Sequence, residues 1–160
     1  MRNSFVKLAV AAVALVGAMA VPAAAQDTTV GANLTFLRDS EQTGPGFQVD
    51  VARGFNPNIA VVGEFGLNSF DGFTIQSYQA GLRFTPTMAG ALRPFVQALV
   101  GLERCCEQNA LAFQLGGGIE YPITERVNFR AQYDFRRTDY DGEGFNANRI
   151  GVGIVLPLGN

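Results

Sequence analysis

Val127-Asn128-Phe129-Arg130-Ala131-Gln132-Tyr133-Asp134-Phe135-Arg136 alternates apolar and polar residues without a break. Its odd positions read Val, Phe, Ala, Tyr, Phe, and its even positions read Asn, Arg, Gln, Asp, Arg. Successive side chains of a strand point to opposite faces, so this period sorts the two sets onto two sides. A helix would scatter both sets around its circumference. The stretch is a strand with one greasy face and one polar face.

The same alternation recurs along the chain in runs of about ten residues, the weak per-segment pattern of barrel strands. Eight segments are expected, at 28–37, 46–55, 59–68, 74–85, 92–103, 110–121, 127–138 and 147–158. Their apolar faces include Leu34, Phe36, Phe47, Val49, Phe65, Leu82, Val100, Phe113, Leu115, Val152 and Ile154. The opposite faces carry Asn33, Gln48, Asp50, Glu64, Gln79, Arg83, Gln97, Gln114, Glu120, Arg130, Gln132, Asp134 and Arg149. Asn56-Pro57-Asn58, Pro86 to Ala91 and Pro122 to Arg126 form one set of connections, each holding a proline that cannot serve an internal ladder. The other set, Asp39 to Pro45, Ser69 to Phe73, Arg104 to Asn109 and Asp139 to Asn146, is expected as loops, mostly acidic or glycine-containing. Pro94 must lie at the beginning of its strand.

At the N-terminus, Arg2 and Lys7 precede an apolar run from Leu8 to Met19 and a small-residue stretch ending Ala23-Ala24-Ala25. That is the layout of a secretory signal peptide, too short for a spanning helix, with cleavage expected after Ala25. Residues 1–25 are read as the signal and 26–160 as a single β-barrel domain. No cysteine follows the apolar run to take an N-terminal lipid. Cleavage removes Arg2 and Lys7 and leaves ten of the twelve basic residues, all arginine, against 14 acidic ones. A formal net charge of −2 excludes a polybasic nucleic-acid surface. The complete lack of histidine removes the usual general base and the commonest zinc ligand.

Eight strands close into a barrel just wide enough for side chains to fill. A soluble barrel would hide the apolar set and wet the polar one, whereas a membrane barrel does the reverse. The mature chain has no lysine for a wetted surface, and the charged fraction of the full sequence is only 16%. Aromatic residues recur near segment ends (Phe36, Phe55, Phe84, Tyr121, Phe129, Phe135), where interfacial girdles belong. The charges on the polar face nearly cancel, with Asp50, Glu64, Glu120 and Asp134 against Arg83, Arg130 and Arg149. These features favour an all-β, eight-stranded, antiparallel up-and-down transmembrane β-barrel.

Three stretches carry a family resemblance: Arg93-Pro94-Phe95-Val96-Gln97-Ala98-Leu99-Val100-Gly101, Gly116-Gly117-Gly118-Ile119-Glu120-Tyr121, and the R-x-Q-Y-D strand at Arg130 to Asp134. With the signal and the eight segments, they resemble the bacterial outer-membrane β-barrel domain group that includes OmpA-type and OmpX-type barrels. The resemblance covers 26–160. It implies both termini in the periplasm, the acidic loops outside the cell, outer-membrane lipid as solvent, and insertion by the barrel assembly machinery. The chain departs from the group in ending Leu156-Pro157-Leu158-Gly159-Asn160 rather than in an aromatic residue. No periplasmic peptidoglycan-binding domain follows, so cell-wall tethering is not implied.

Glu64, Arg83, Glu120 and Arg130 resemble a switchable ion-pair gate in OmpA-type barrels. The simpler reading is a fixed neutral network of Asp50, Glu64, Arg83, Glu120, Arg130, Asp134 and Arg149 that plugs the lumen. Gly116-Gly117-Gly118 lies inside a strand and is read as room for bulky lumen neighbours such as Arg130, not as a phosphate loop. Cys105 and Cys106 fall in an external loop and are read as a structural or free pair, with a redox role open. Glu103 and Glu107 beside them do not complete a convincing metal site. Asp134, Asp139, Asp141 and Glu143 are read as a solvated acidic tip that does not fit a calcium loop. The expected function is structural or interactive in the outer membrane, for a monomer with no cofactor and no catalysis. A narrow porin and a secreted soluble barrel are the alternatives.

Overall fold

The computed structural model describes residues 28–158, so the expected signal at 1–25 lies outside the described residues. Eight strands follow in order: β1 (Thr28–Arg38), β2 (Thr43–Gly54), β3 (Ile59–Phe70), β4 (Phe73–Phe84), β5 (Arg93–Cys105), β6 (Gln108–Thr124), β7 (Val127–Tyr140) and β8 (Glu143–Pro157). Each pairs antiparallel with its neighbour, and β8 returns to β1, closing the barrel. Closure leaves no strand edge, which is what lets a sheet cross hydrocarbon. At β5 the pairing with β4 runs only to Val96↔Phe84, so Pro94 lies beyond that ladder.

Alternation decides which way every face looks. On β7, Asn128, Arg130, Gln132, Asp134, Arg136 and Thr138 are buried while Phe129, Tyr133 and Phe135 are exposed. The same inversion of a soluble core holds elsewhere: Leu34 is 66% exposed and Leu115 65%, whereas Arg130 and Arg149 are both 0% exposed. All 13 polar-face residues named from the sequence point inward, and Glu120 alone keeps partial access to solvent. The outward apolar band on β6 runs from Leu111 to Tyr121. Those ten steps span about 33 Å along the strand, or about 25 Å at a typical barrel tilt. That matches the height of a membrane-facing band. Tyr78 and Tyr133 on this outer face turn their hydroxyls to Gln76 (3.2 Å) and Asn148 (2.6 Å).

A few inward positions are apolar, notably Phe95, Leu99, Ala52 and Val62. Phe95 forms a platform for two cations, with the Arg83 guanidinium 4.8 Å and the Arg130 guanidinium 5.4 Å from its ring centre.

The connections differ from the loops expected. At the rim that lies away from the termini, here the hairpin rim, the chain turns in residues 39–42, 71–72, 106–107 and 141–142. The segments read as loops at 43–45, 104–105 and 143–146 continue the ladder instead, as in Asn146↔Arg137 and Gly144↔Asp139. Beyond the apolar band both faces of a strand meet water, so hydropathy stops alternating while backbone pairing goes on. At the terminal rim, Leu158 donates its amide to the Thr28 carbonyl (2.8 Å). The longest connection, residues 85–92, lies at this rim, not at the hairpin rim.

Candidate functional site

Among the described residues, the lumen is where the fold gathers charged groups from many strands. Asp50 on β2 stands between two arginines, accepting from Arg83 Nη2 of β4 (3.1 Å) and from Arg130 Nη1 of β7. Arg130 then reaches Glu120 on β6 through Nε (3.0 Å) and Nη2 (2.8 Å). Arg83 donates through Nε (3.0 Å) and Nη2 (2.8 Å) to Gln97 Oε1, and Gln97 Nε2 passes on to Asp134 Oδ1 (3.4 Å).

A second centre forms around Arg149 on β8. Its Nε (3.0 Å) and Nη2 (2.8 Å) donate to Asp134 Oδ2, and Nη2 also donates to Glu64 Oε1 and to Gln114 Oε1 (3.1 Å). Glu64 Oε2 accepts from Gln48 (2.8 Å) and Gln114 (3.3 Å). Gln132 ties Asp134 (2.8 Å) to Gln48 (3.1 Å). All seven charged residues expected to face one another are joined in one chain of contacts, with Gln97 linking the two centres. Asp134 belongs to this lumen cluster and not to the acidic hairpin tip with which the sequence reading also grouped it.

The space for these groups comes from small residues. A side chain at Gly31 would collide with Asp50 and the Arg130 guanidinium, and one at Gly116 with the Asp134 carboxylate. Gly116 therefore makes room for Asp134, and Gly31, not the triple-glycine run, makes room for Arg130. Gly117 looks toward the Phe95 carbonyl and Gly118 toward Ala131 and Gln132.

The sequence reading missed a third cluster nearer the hairpin rim. Arg136 Nη2 donates to Glu103 Oε2 (2.7 Å), and the Tyr140 hydroxyl donates to Glu103 Oε1 (3.1 Å). The parity of Glu103 with Gln97, and of Arg136 with Asp134, was the signal that places both inward. The cysteines lie above this layer at the hairpin rim, both as free thiols. Among the described residues, no group of three or more His, Cys, Asp or Glu side chains is placed to hold a metal ion.

In chemical terms the lumen is a set of compensated charges. Every carboxylate in it faces a guanidinium or an amide donor, which is the condition for keeping charge away from bulk water. Such an arrangement ties strands to one another across the lumen.

Solved structures of similar fold include outer-membrane barrels. Neisserial surface protein A has a TM-score of 0.65 at 13% identity, covering 84% of this chain and 98% of its own. The Yersinia pestis outer membrane protein Ail in a phospholipid bilayer nanodisc gives 0.52 at 17% identity, covering 82% and 99%. The outer membrane enzyme PagL gives 0.53 at 10% identity, covering 82% and 99%. These likenesses show the fold alone. No curated protein matches the sequence. Residues 11–156 match the model of the outer membrane protein beta-barrel domain; with the closed eight-stranded barrel and its apolar outer band, the chain belongs to that family and resides in the outer membrane.

Proposed function

We propose that this protein is a small structural element of the outer membrane, a plugged barrel that neither conducts nor catalyses and that contributes to envelope integrity as a single copy in lipid. The observation that carries this reading is the lumen. An unbroken series of contacts, buried from Arg130 onward, crosses it from Glu120 through Arg130, Asp50, Arg83, Gln97, Asp134 and Arg149 to Glu64. Buried pairs of this kind are costly to open, because separating one leaves an uncompensated charge. A fixed plug is therefore favoured over a gate. The complete absence of histidine supports the non-catalytic part, although PagL shows that an enzyme uses the same fold.

The outer surface fits the same role. Arg38, Arg104 and Arg137 project outward directly after the apolar band at the hairpin rim. Arginine stems lie along apolar surface while their heads reach the anionic headgroup layer. The two-residue turns at this rim present little area, so a large adhesive surface is not part of the proposal. Export by residues 1–25, insertion by the barrel assembly machinery and termini in the periplasm complete it.

Planar-bilayer recording tests the plug. The purified mature chain is expected to insert without steady current, and Arg130→Ala is expected to stay silent because Asp50 keeps Arg83 and the other lumen contacts remain. Discrete, lasting conductance steps from the unmodified protein would make it a narrow channel. Steps that arise only in Arg130→Ala would make the network a gate.

A further inference from the structure

The three two-residue turns at the hairpin rim are not alike. Two are Asp-Gly, with Gly72 at φ 91° in one, and Asp141 at 51° and Gly142 at 88° in the other. The third is Cys106-Glu107, with φ of 52° and 66°. Two left-handed residues in succession are the mark of a turn that prefers Asn-Gly or Asp-Gly, and side-chain-bearing residues enter that region at a cost. The tip of β5–β6 accepts this strain and places two adjacent cysteines on it.

The strain has a geometric result. Neighbouring residues in a strand point to opposite faces. Cys105 ends β5, and the left-handed backbone of Cys106 undoes the alternation, so the two Sγ atoms come within 2.9 Å of each other. A disulfide needs about 2.05 Å, so the two sulfurs already lie within about 1 Å of bonding distance. The tip lies past Arg104, outside the apolar band, and Cys106 is exposed. A chain in the outer membrane has crossed an oxidising compartment, where thiols meet disulfide donors.

We propose that Cys105 and Cys106 form a reversible redox site, closing into a vicinal disulfide by exchange with a protein or small-molecule disulfide of the envelope. The exposed Cys106 thiolate attacks one sulfur of the donor; the donor S–S bond breaks, and one donor thiolate leaves with the bonding electrons. Cys105 then gives up its proton and attacks Cys106 Sγ in the mixed disulfide, releasing the second donor thiolate. The pair loses two electrons, the donor disulfide gains them, and the two protons end on the donor thiols. Burial first, then the neighbouring Cys106, raises the Cys105 thiol, so the exposed Cys106 attacks first, and it is the 2.9 Å approach of the two sulfurs that brings Cys105 to the second step. Adjacent Cα atoms about 3.8 Å apart sit closer than in ordinary disulfides, so the ring is strained and opens readily to a reducing thiol.

The test uses the unaltered full-length protein, made in cells with an intact envelope oxidation system and quenched in acid before iodoacetamide alkylation. Mass analysis of the peptide containing Cys105, Cys106 and Glu107 is expected to show it lighter by two hydrogens and without alkyl groups. Mild dithiothreitol before alkylation is expected to raise the label from none to two per chain, while the protein keeps its heat-modifiable folded mobility. Two alkyl groups on the unreduced peptide, or disulfide-linked dimers as the main product, would overturn the proposal. So would an oxidised peptide that reopens only after denaturation.

Discussion

Replacing Arg149 with methionine lowers the free energy of unfolding by about 3–5 kcal/mol, measured by urea titration in detergent micelles with far-UV circular dichroism. Arg149 is fully buried and serves Asp134 and Glu64 together, two carboxylates from β7 and β3 with 0% and 1% of their side chains exposed. Methionine fills much of the same volume but leaves both carboxylates without their cation in a lumen packed by Gln48, Gln114 and Gln132. The cost comes from the stranded charges more than from the lost attraction. The triple variant Arg149→Met, Glu64→Gln, Asp134→Asn is therefore expected to recover most of the loss. A single-variant loss below about 1 kcal/mol would mean that these pairs are solvated like surface ones.

The second large effect lies on the other side of the same strand. Val152 stands midway along the outward row Asn148, Ile150, Val152, Ile154, Leu156 and is exposed to the surroundings of the barrel. Val152→Arg is expected to cost about 2–4 kcal/mol in folding into lipid vesicles, because a guanidinium at mid-depth meets hydrocarbon. Ser69→Arg, also outward but beyond the apolar band near the β3–β4 turn, is expected to cost about 0–1 kcal/mol. Soluble barrels tolerate an arginine on the outside wherever it falls. Equal costs at the two positions would remove the depth dependence on which the membrane orientation rests.

Much of this was legible in the amino-acid order, because a barrel strand needs only parity to assign its faces. Parity separated Phe113 and Leu115 from Gln114, and Arg130 and Asp134 from Tyr133, and the structure turns each as that rule requires. Strand ends were less legible. Residues 143–146 lie past the lipid band, where an exposed residue on either face is polar or glycine as readily as apolar, so their continued pairing with β7 leaves no hydropathy signal. Membership of the lumen set was also readable, but partners within it were not. Which carboxylate meets which guanidinium depends on the stagger of eight strands, and Arg130 meets Asp50 at a sequence separation of 80. Phe95 escaped notice because an apolar residue on the polar face breaks the pattern, yet it is the platform beneath Arg83 and Arg130. Glu103 was considered with the neighbouring cysteines, although its inward parity pairs it with Arg136.

Site-directed spin labelling along residues 111–115 tests the orientation most directly. Single cysteines introduced into a Cys105→Ser, Cys106→Ser background would be labelled and reconstituted into vesicles. Positions 111, 113 and 115 are expected to collide freely with dissolved oxygen and little with a water-soluble nickel chelate, while 112 and 114 are shielded from both. Even positions open to the membrane with odd positions shielded would mean that the apolar residues fill the barrel and the buried arginine network does not exist.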